Sequence, residues 1–217
     1  MEILKKSKKL ILLAFVIVVV SQISARSDTD GGPDSDLQKA FKESYQYEAK
    51  EQYSSAIDVL KSVYEASSYE INVRLGWLNY LAKRYNESIM YYQIATDILP
   101  YSIEAKFGIV NPLAAQEKWD KVAEQYVVIL NIDSQNTLAN YRLGLYYYYK
   151  ANYTNAYKHF EKVVNLYPFD YSSVLMYAWA NFQLGKTREA ELLFNKVLII
   201  SPDDTSALEG LGLLGKK

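Results

Sequence analysis

Residues 137–170 read TLANYRLGLYYYYKANYTNAYKHFEKVVNLYPFD, and residues 171–204 read YSSVLMYAWANFQLGKTREAELLFNKVLIISPDD. Laid one over the other, they agree in kind at fixed places. Gly144 falls on Ala178, Ala156 on Ala190, Phe160 on Phe194 and Pro168 on Pro202, each 34 residues on. The same step runs back along the chain. Gly76, Val110, Gly144, Ala178 and Gly212 form one column, and Ser88, Val122, Ala156 and Ala190 another. Tyr92, Tyr126, Phe160 and Phe194 form an aromatic column, and Pro100, Ser134, Pro168 and Pro202 a column of turns. Tyr85, Trp119 and Tyr153 keep an aromatic until Thr187 breaks it. Several independent columns hold one period from Tyr69 onward without insertion, the mark of a stacked-repeat architecture.

Each period holds two helices, for example Thr137–Lys150 and Tyr153–Leu166. Small residues at the eighth and twentieth places let the two approach, and the aromatic at the twenty-fourth fills the space between them. Proline at the thirty-second lacks an amide hydrogen and stops the second helix. Short turns such as Lys83-Arg84 and Ala151-Asn152 make the pairs antiparallel. A single pair cannot bury its own apolar face, so stability comes from stacking.

These columns resemble the tetratricopeptide repeat family over Leu37 to about Leu214, most specifically in the repeats that start at Tyr69, Thr137 and Tyr171. The resemblance implies an all-α, right-handed superhelical array, an α-solenoid of about five helix–turn–helix repeats. Two repeats depart from the pattern. The first, from Leu37, has Ser44, Ala56 and Ser68 in register, but the next begins two residues early. The third, from Ile103, has Val110 and Val122 where small residues belong, and Gly108 and Pro112 inside its first helix. Pro112 removes the hydrogen bond to the carbonyl of Gly108, which predicts either a tolerated kink or a hinge. Thr205–Leu214 reads as a closing half-repeat with an apolar face.

In the family, the first helices line a concave groove. Carried over position by position, the resemblance implies a partner-binding groove of Phe41, Tyr45, Trp77, Tyr80, Phe107, Tyr141, Tyr148, Trp179 and Phe182. Lys42, Arg74 and Arg142 fall at its edge. Aromatic anchors in a desolvated concave surface are what peptide hot spots are made of. The competing reading is packing, since the chain has 21 tyrosines and the run Tyr146–Tyr149 must place rings on every side of one helix. The lysine and asparagine that grip acidic chaperone tails in some family members are replaced here by Phe41, Tyr45, Val73 and Trp77.

The first residues follow a different logic. Lys5, Lys6, Lys8 and Lys9 precede an unbroken apolar run from Leu10 to Val20, and Ile23-Ser24-Ala25 follows. This predicts a secretory signal over 1–25 or, left uncut, a membrane tether through residues 10–25. Residues 26–36 (RSDTDGGPDSD) read as a flexible acidic linker, and 37–217 as the repeat domain. The expected location is exported: periplasmic or secreted, or membrane-anchored.

The 217 residues carry a net charge of −1, which gives no reason to expect nucleic acid. The chain has no cysteine and one histidine, His159, so thiol chemistry is excluded and no metal-ligand cluster is expected. No phosphate loop, nucleotide fingerprint or nucleophile elbow occurs, so no cofactor, no catalytic residue and no enzyme activity are expected. Asn86-Glu87-Ser88 and Asn152-Tyr153-Thr154 match the glycosylation sequon near helix turns. The leading functional reading is a scaffold for a protein or peptide partner. The alternatives are a self-associating subunit of an envelope assembly and a glycan-binding module.

Overall fold

The structure is a computed structural model that describes residues 35–215. The expected signal, the tether and most of the acidic linker lie outside the described residues. Every regular element among the described residues is an α-helix. They are α1 (Asp36–Glu48), α2 (Tyr53–Ser62), α3 (Tyr69–Leu81), α4 (Tyr85–Ile98), α5 (Ile103–Ala115), α6 (Trp119–Ile132), α7 (Thr137–Tyr149), α8 (Tyr153–Leu166), α9 (Tyr171–Gln183), α10 (Thr187–Ile200) and α11 (Thr205–Leu214). None is long and apolar enough to cross a membrane.

The described residues fall into two compact units. The smaller, up to Val63, is the antiparallel pair α1–α2, buried around Ala40, Ser44, Ala56, Ile57 and Leu60. Ser35 and Asp36, read from sequence as the end of the linker, are the cap and first residue of α1. Ser35 accepts a hydrogen bond from the Gln38 amide, and Gln38 reaches back to the Ser35 amide. The early restart of the second repeat has a local cause: α2 ends after 10 residues where α4, α6, α8 and α10 run for 14.

The larger unit, from Tyr64, stacks α3 to α11 in order, each helix packed on the next. Its first helices start at one repeated cap: the side chains of Ser68, Ser102, Asn136, Asp170 and Asp204 each accept from the backbone amide three residues on. The fourth place of the repeat closes the preceding turn. Asn72 donates to the carbonyls of Ala66 (3.1 Å) and Ser68 (2.7 Å), and Asn140 to those of Ser134 (3.0 Å) and Asn136 (3.0 Å). Lys106 does the same with Pro100 and Ser102, buried enough that its pKa is lowered by desolvation.

The aromatic column is clamped between neighbouring helices. A Cβ at Gly76 would lie 2.8 Å from the Tyr92 ring, and one at Gly108 would lie 2.2 Å from its other side. Gly108 is therefore a point of close approach between α4 and α5, and α5 runs unbroken through it and Pro112. Gly210 repeats the device against Phe194, where a Cβ would come within 2.3 Å.

Candidate functional site

Most of the rings expected in the groove are packed against other rings. Trp77 lies 5.6 Å from Tyr80, one turn on, and Trp179 meets Phe182 edge-on at 5.5 Å. Trp179 also packs on Phe194 at 5.0 Å and donates its indole N–H to Ser206 Oγ at 2.9 Å. Tyr141 lies 5.9 Å from Phe160, and Tyr148 meets Tyr153 at 5.3 Å and Tyr149 at 6.1 Å. In the smaller unit Phe41 is half-buried, while Lys42 and Tyr45 are exposed. Arg74 corrects the expectation. It is only 7% exposed, so it is no edge residue. The close approach of α3 to its neighbours covers it, and its charge acts on the Tyr92 phenol, whose pKa burial raises. Tyr157 on α8 is half-buried: it lies 5.0 Å from Tyr177, and Lys186 Nζ sits 3.6 Å above its ring.

Of the expected residues, Phe107 and Arg142 come together in a cavity of about 840 Å³. Its volume falls in the ordinary range of ligand pockets, roughly 300–1,000 Å³. α5 and α7 form its walls, with Asn111, Ala114, Leu138, Leu145 and Tyr149, and α6 lines it with Trp119, Val122 and Tyr126. The mouth is open, since Asn111, Trp119, Leu138, Arg142, Tyr149 and Lys150 are all exposed.

The irregular third repeat makes this space. At the places where repeats two and five carry Trp77 with Tyr80 and Trp179 with Phe182, α5 carries Asn111 and Ala114. The pair of rings is missing and nothing of like volume replaces it. The next repeat adds distance. Where Gly108 lets α5 close on Tyr92, the corresponding residue on α7 is Arg142, which stands against Tyr126. A third cause is a missing tie. Tyr69 hydrogen-bonds Ser102 at 2.6 Å and Tyr171 donates to Asp204 at 2.6 Å, each reaching the cap of the next repeat. The equivalent residue on α5 is Ile103, which has no hydroxyl. The first helices of the second and third repeats pack directly together, as do those of the fourth and fifth; α5 and α7 do not pair in that way.

The rim has fixed electrostatics. Tyr146 donates to Asp120 Oδ1 at 2.8 Å, and Lys150 Nζ lies 3.2 Å from the same oxygen. The phenol hydrogen bond and then the ammonium hold the Asp120 carboxyl below the usual range. Tyr126, lining the cavity, has its pKa raised by burial, with the Arg142 charge pulling the other way.

The tetratricopeptide repeat family profile matches residues 141–205. The fold is shared with a tetratricopeptide repeat protein from Parabacteroides merdae ATCC 43184, at a TM-score of 0.67 and 21% identity, over 82% of this chain and 72% of that one. The chain has the tetratricopeptide repeat fold. Two further solved structures share the fold. MamA from Desulfovibrio magneticus RS-1, from residue 41 to its end, aligns at a TM-score of 0.63 and 16% identity, over 78% of this chain and 98% of that one. Another MamA structure gives 0.64 and 18%, over 76% of this chain and 91% of that one. No curated protein matches the sequence. Tetratricopeptide arrays serve in general as protein-interaction scaffolds, and at these identities the likeness speaks for the fold alone.

The remaining candidates have structural partners. His159 stacks on Tyr147 at 5.6 Å and 12°, and its Nδ1 lies 3.0 Å from Asn140 Oδ1. Burial first, then Lys162 and Lys158, lower its pKa to about 4. Of the sequon residues, Asn152 caps α8, and Asn86 accepts from Gln116 at 3.1 Å. Ser88 is buried and donates to the Gly76 carbonyl at 2.7 Å. Among the described residues no group of three or more His, Cys, Asp or Glu side chains is gathered to hold a metal. Sequence reasoning missed Trp119, Tyr126, Tyr146, Leu138 and Lys150 as cavity residues. Trp119 and Tyr126 lie on a second helix, outside the family's groove positions, and only the gap at Asn111 and Ala114 could have pointed to them.

Proposed function

We propose that the chain is a protein-interaction scaffold exported from the cytoplasm, and that it takes its partner on the first-helix surface, at the cavity between α5 and α7. The open, largely apolar cavity of about 840 Å³, with Phe107, Trp119, Tyr126 and Tyr149 around it, supports this reading. Its walls are helices packed in the stack, and Phe107 and Tyr126 are already in edge-on contact, so a partner meets a largely formed surface. The basic stretch and apolar run of residues 5–20 support export. The test is a cross-linked pull-down from the native host with the full chain and with a Phe107→Ala, Arg142→Glu, Tyr149→Ala variant, its helicity first checked by circular dichroism. Specific partners that vanish with the variant support the reading. Partners that all survive it place the function elsewhere on the array.

Self-association is a second reading with its own observation. Leu208 and Leu213 on α11 are 49% and 37% exposed. Sedimentation at rising concentration tests it: a dimer abolished by Leu208→Lys with Leu213→Lys would support it.

A further inference from the structure

We infer that the occupant of the α5–α7 cavity is an amphipathic helical segment of another protein, bearing two large apolar side chains one turn apart and a carboxylate on the same face. The inference rests on the scaffold reading and names its partner's chemistry. The array itself supplies the template. Repeats two and five fill the corresponding space with ring pairs spaced i, i+3 on a helix, Trp77 with Tyr80 and Trp179 with Phe182. Repeat three presents Asn111 and Ala114 there and leaves the space open. A helical segment projects side chains at i and i+3 from one face with the same spacing, so a partner can supply the pair that α5 lacks. The rings it would meet are Phe107 and Tyr126, already edge-on at 6.3 Å, with Trp119 and Tyr149 exposed at the mouth.

Charge selects the third feature. Of the two cations on the rim, Lys150 is paired with Asp120. Arg142 is exposed at the mouth, and its charge acts on the phenols of Tyr126 and Tyr141, whose pKa values burial raises. An acidic residue one turn beyond the apolar pair would meet the guanidinium beside this apolar wall, where a bidentate carboxylate contact is strongest.

The test uses the full chain and a fluorescein-labelled, alanine- and glutamate-rich helical peptide. The peptide carries Trp and Phe at i and i+3 with Glu one turn on, and binding is read by fluorescence polarisation. Moving the pair to i, i+2, or exchanging that Glu for Lys, is expected to weaken binding about tenfold or more. The decisive variant keeps Phe107, Trp119, Tyr126, Arg142 and Tyr149 and fills the space between them: Asn111→Trp with Ala114→Tyr restores the ring pair and is expected to abolish binding while leaving the chain folded. Arg142→Glu is expected to lose the Glu peptide and recover the Lys peptide. No binding, binding indifferent to spacing, or binding that survives the filled cavity overturns the inference. So does capture of laurate in place of the peptide, or a concentration-dependent dimer that Asn111→Trp with Ala114→Tyr dissolves. If pull-down partners vanish with the wall variant while no such peptide binds, the inference fails and the scaffold reading stands. If partners are indifferent to both variants, both fail.

Discussion

Replacing Gly108 by alanine should destabilise the array, although alanine is the better helix former. On propensity alone the change in mid-helix gains about 1 kcal/mol. Packing opposes it. The new Cβ would lie 2.2 Å from Tyr92 Cε1 and 2.5 Å from Cδ1 and Cζ. Carbon atoms rest at roughly 3.5–4.0 Å, so ring or helix must yield by more than about 1 Å. Tyr92 has nowhere to go, because its other side lies against Gly76, and the residue is only 4% exposed. Overpacking of this kind costs about 1–3 kcal/mol, which leaves a net loss of up to about 2 kcal/mol. Urea unfolding followed at 222 nm, with the slope compared between variants, reads the difference. The sharper readout is a sign change. In a Tyr92→Ala background the obstruction is gone, and Gly108→Ala should become stabilising by about 1 kcal/mol. At Gly212 an added Cβ would meet nothing within 4 Å, so alanine should be tolerated there in either background. Equal effects of Gly108→Ala in both backgrounds, or a gain in the wild type, would refute the packing argument.

Other outcomes follow from the same geometry. Ala151 sits at φ +56° in the turn between α7 and α8, where Gly185 stands at +73° one repeat later. Ala151→Gly should stabilise by about 1 kcal/mol and Gly185→Ala should do the reverse, measured as shifts in thermal midpoint. Asn140→Ala would strip the turn carbonyls and His159 of a common partner, and about 1–3 kcal/mol should be lost in urea unfolding. His159 has a folded pKa of about 4 against an ordinary 6.5, so the unfolded chain binds the extra proton first. Stability from the neutral imidazole is full above about pH 6.5 and falls as pH drops toward 4. His159→Gln should flatten the stability profile in that window, and a slope unchanged by the substitution would exclude the imidazole as its source.

Sequence alone determined the period and, with it, the fold class. Helix pairing in a repeat depends on contacts between residues about twelve to sixteen apart, and a strict step of 34 repeats those contacts without reference to anything distant. Gly76 and Gly144 beside Tyr92 and Phe160 are local facts of this sort. The caps that the structure shows at Ser68, Ser102, Asn136, Asp170 and Asp204 recur at the same step of 34. The tertiary structure alone decided which groove positions face open space. The family pattern gives Trp77, Tyr80, Trp179 and Phe182 the same standing as Phe107, yet the first four fill space for one another and Phe107 borders a cavity. It likewise buried Arg74 while leaving Arg142 at a mouth, although the two hold the same place in their repeats. The physical reason is that exposure at a given position depends on how closely the next helix approaches. That distance is fixed by a neighbour such as Gly108 or Arg142, which the position itself does not encode.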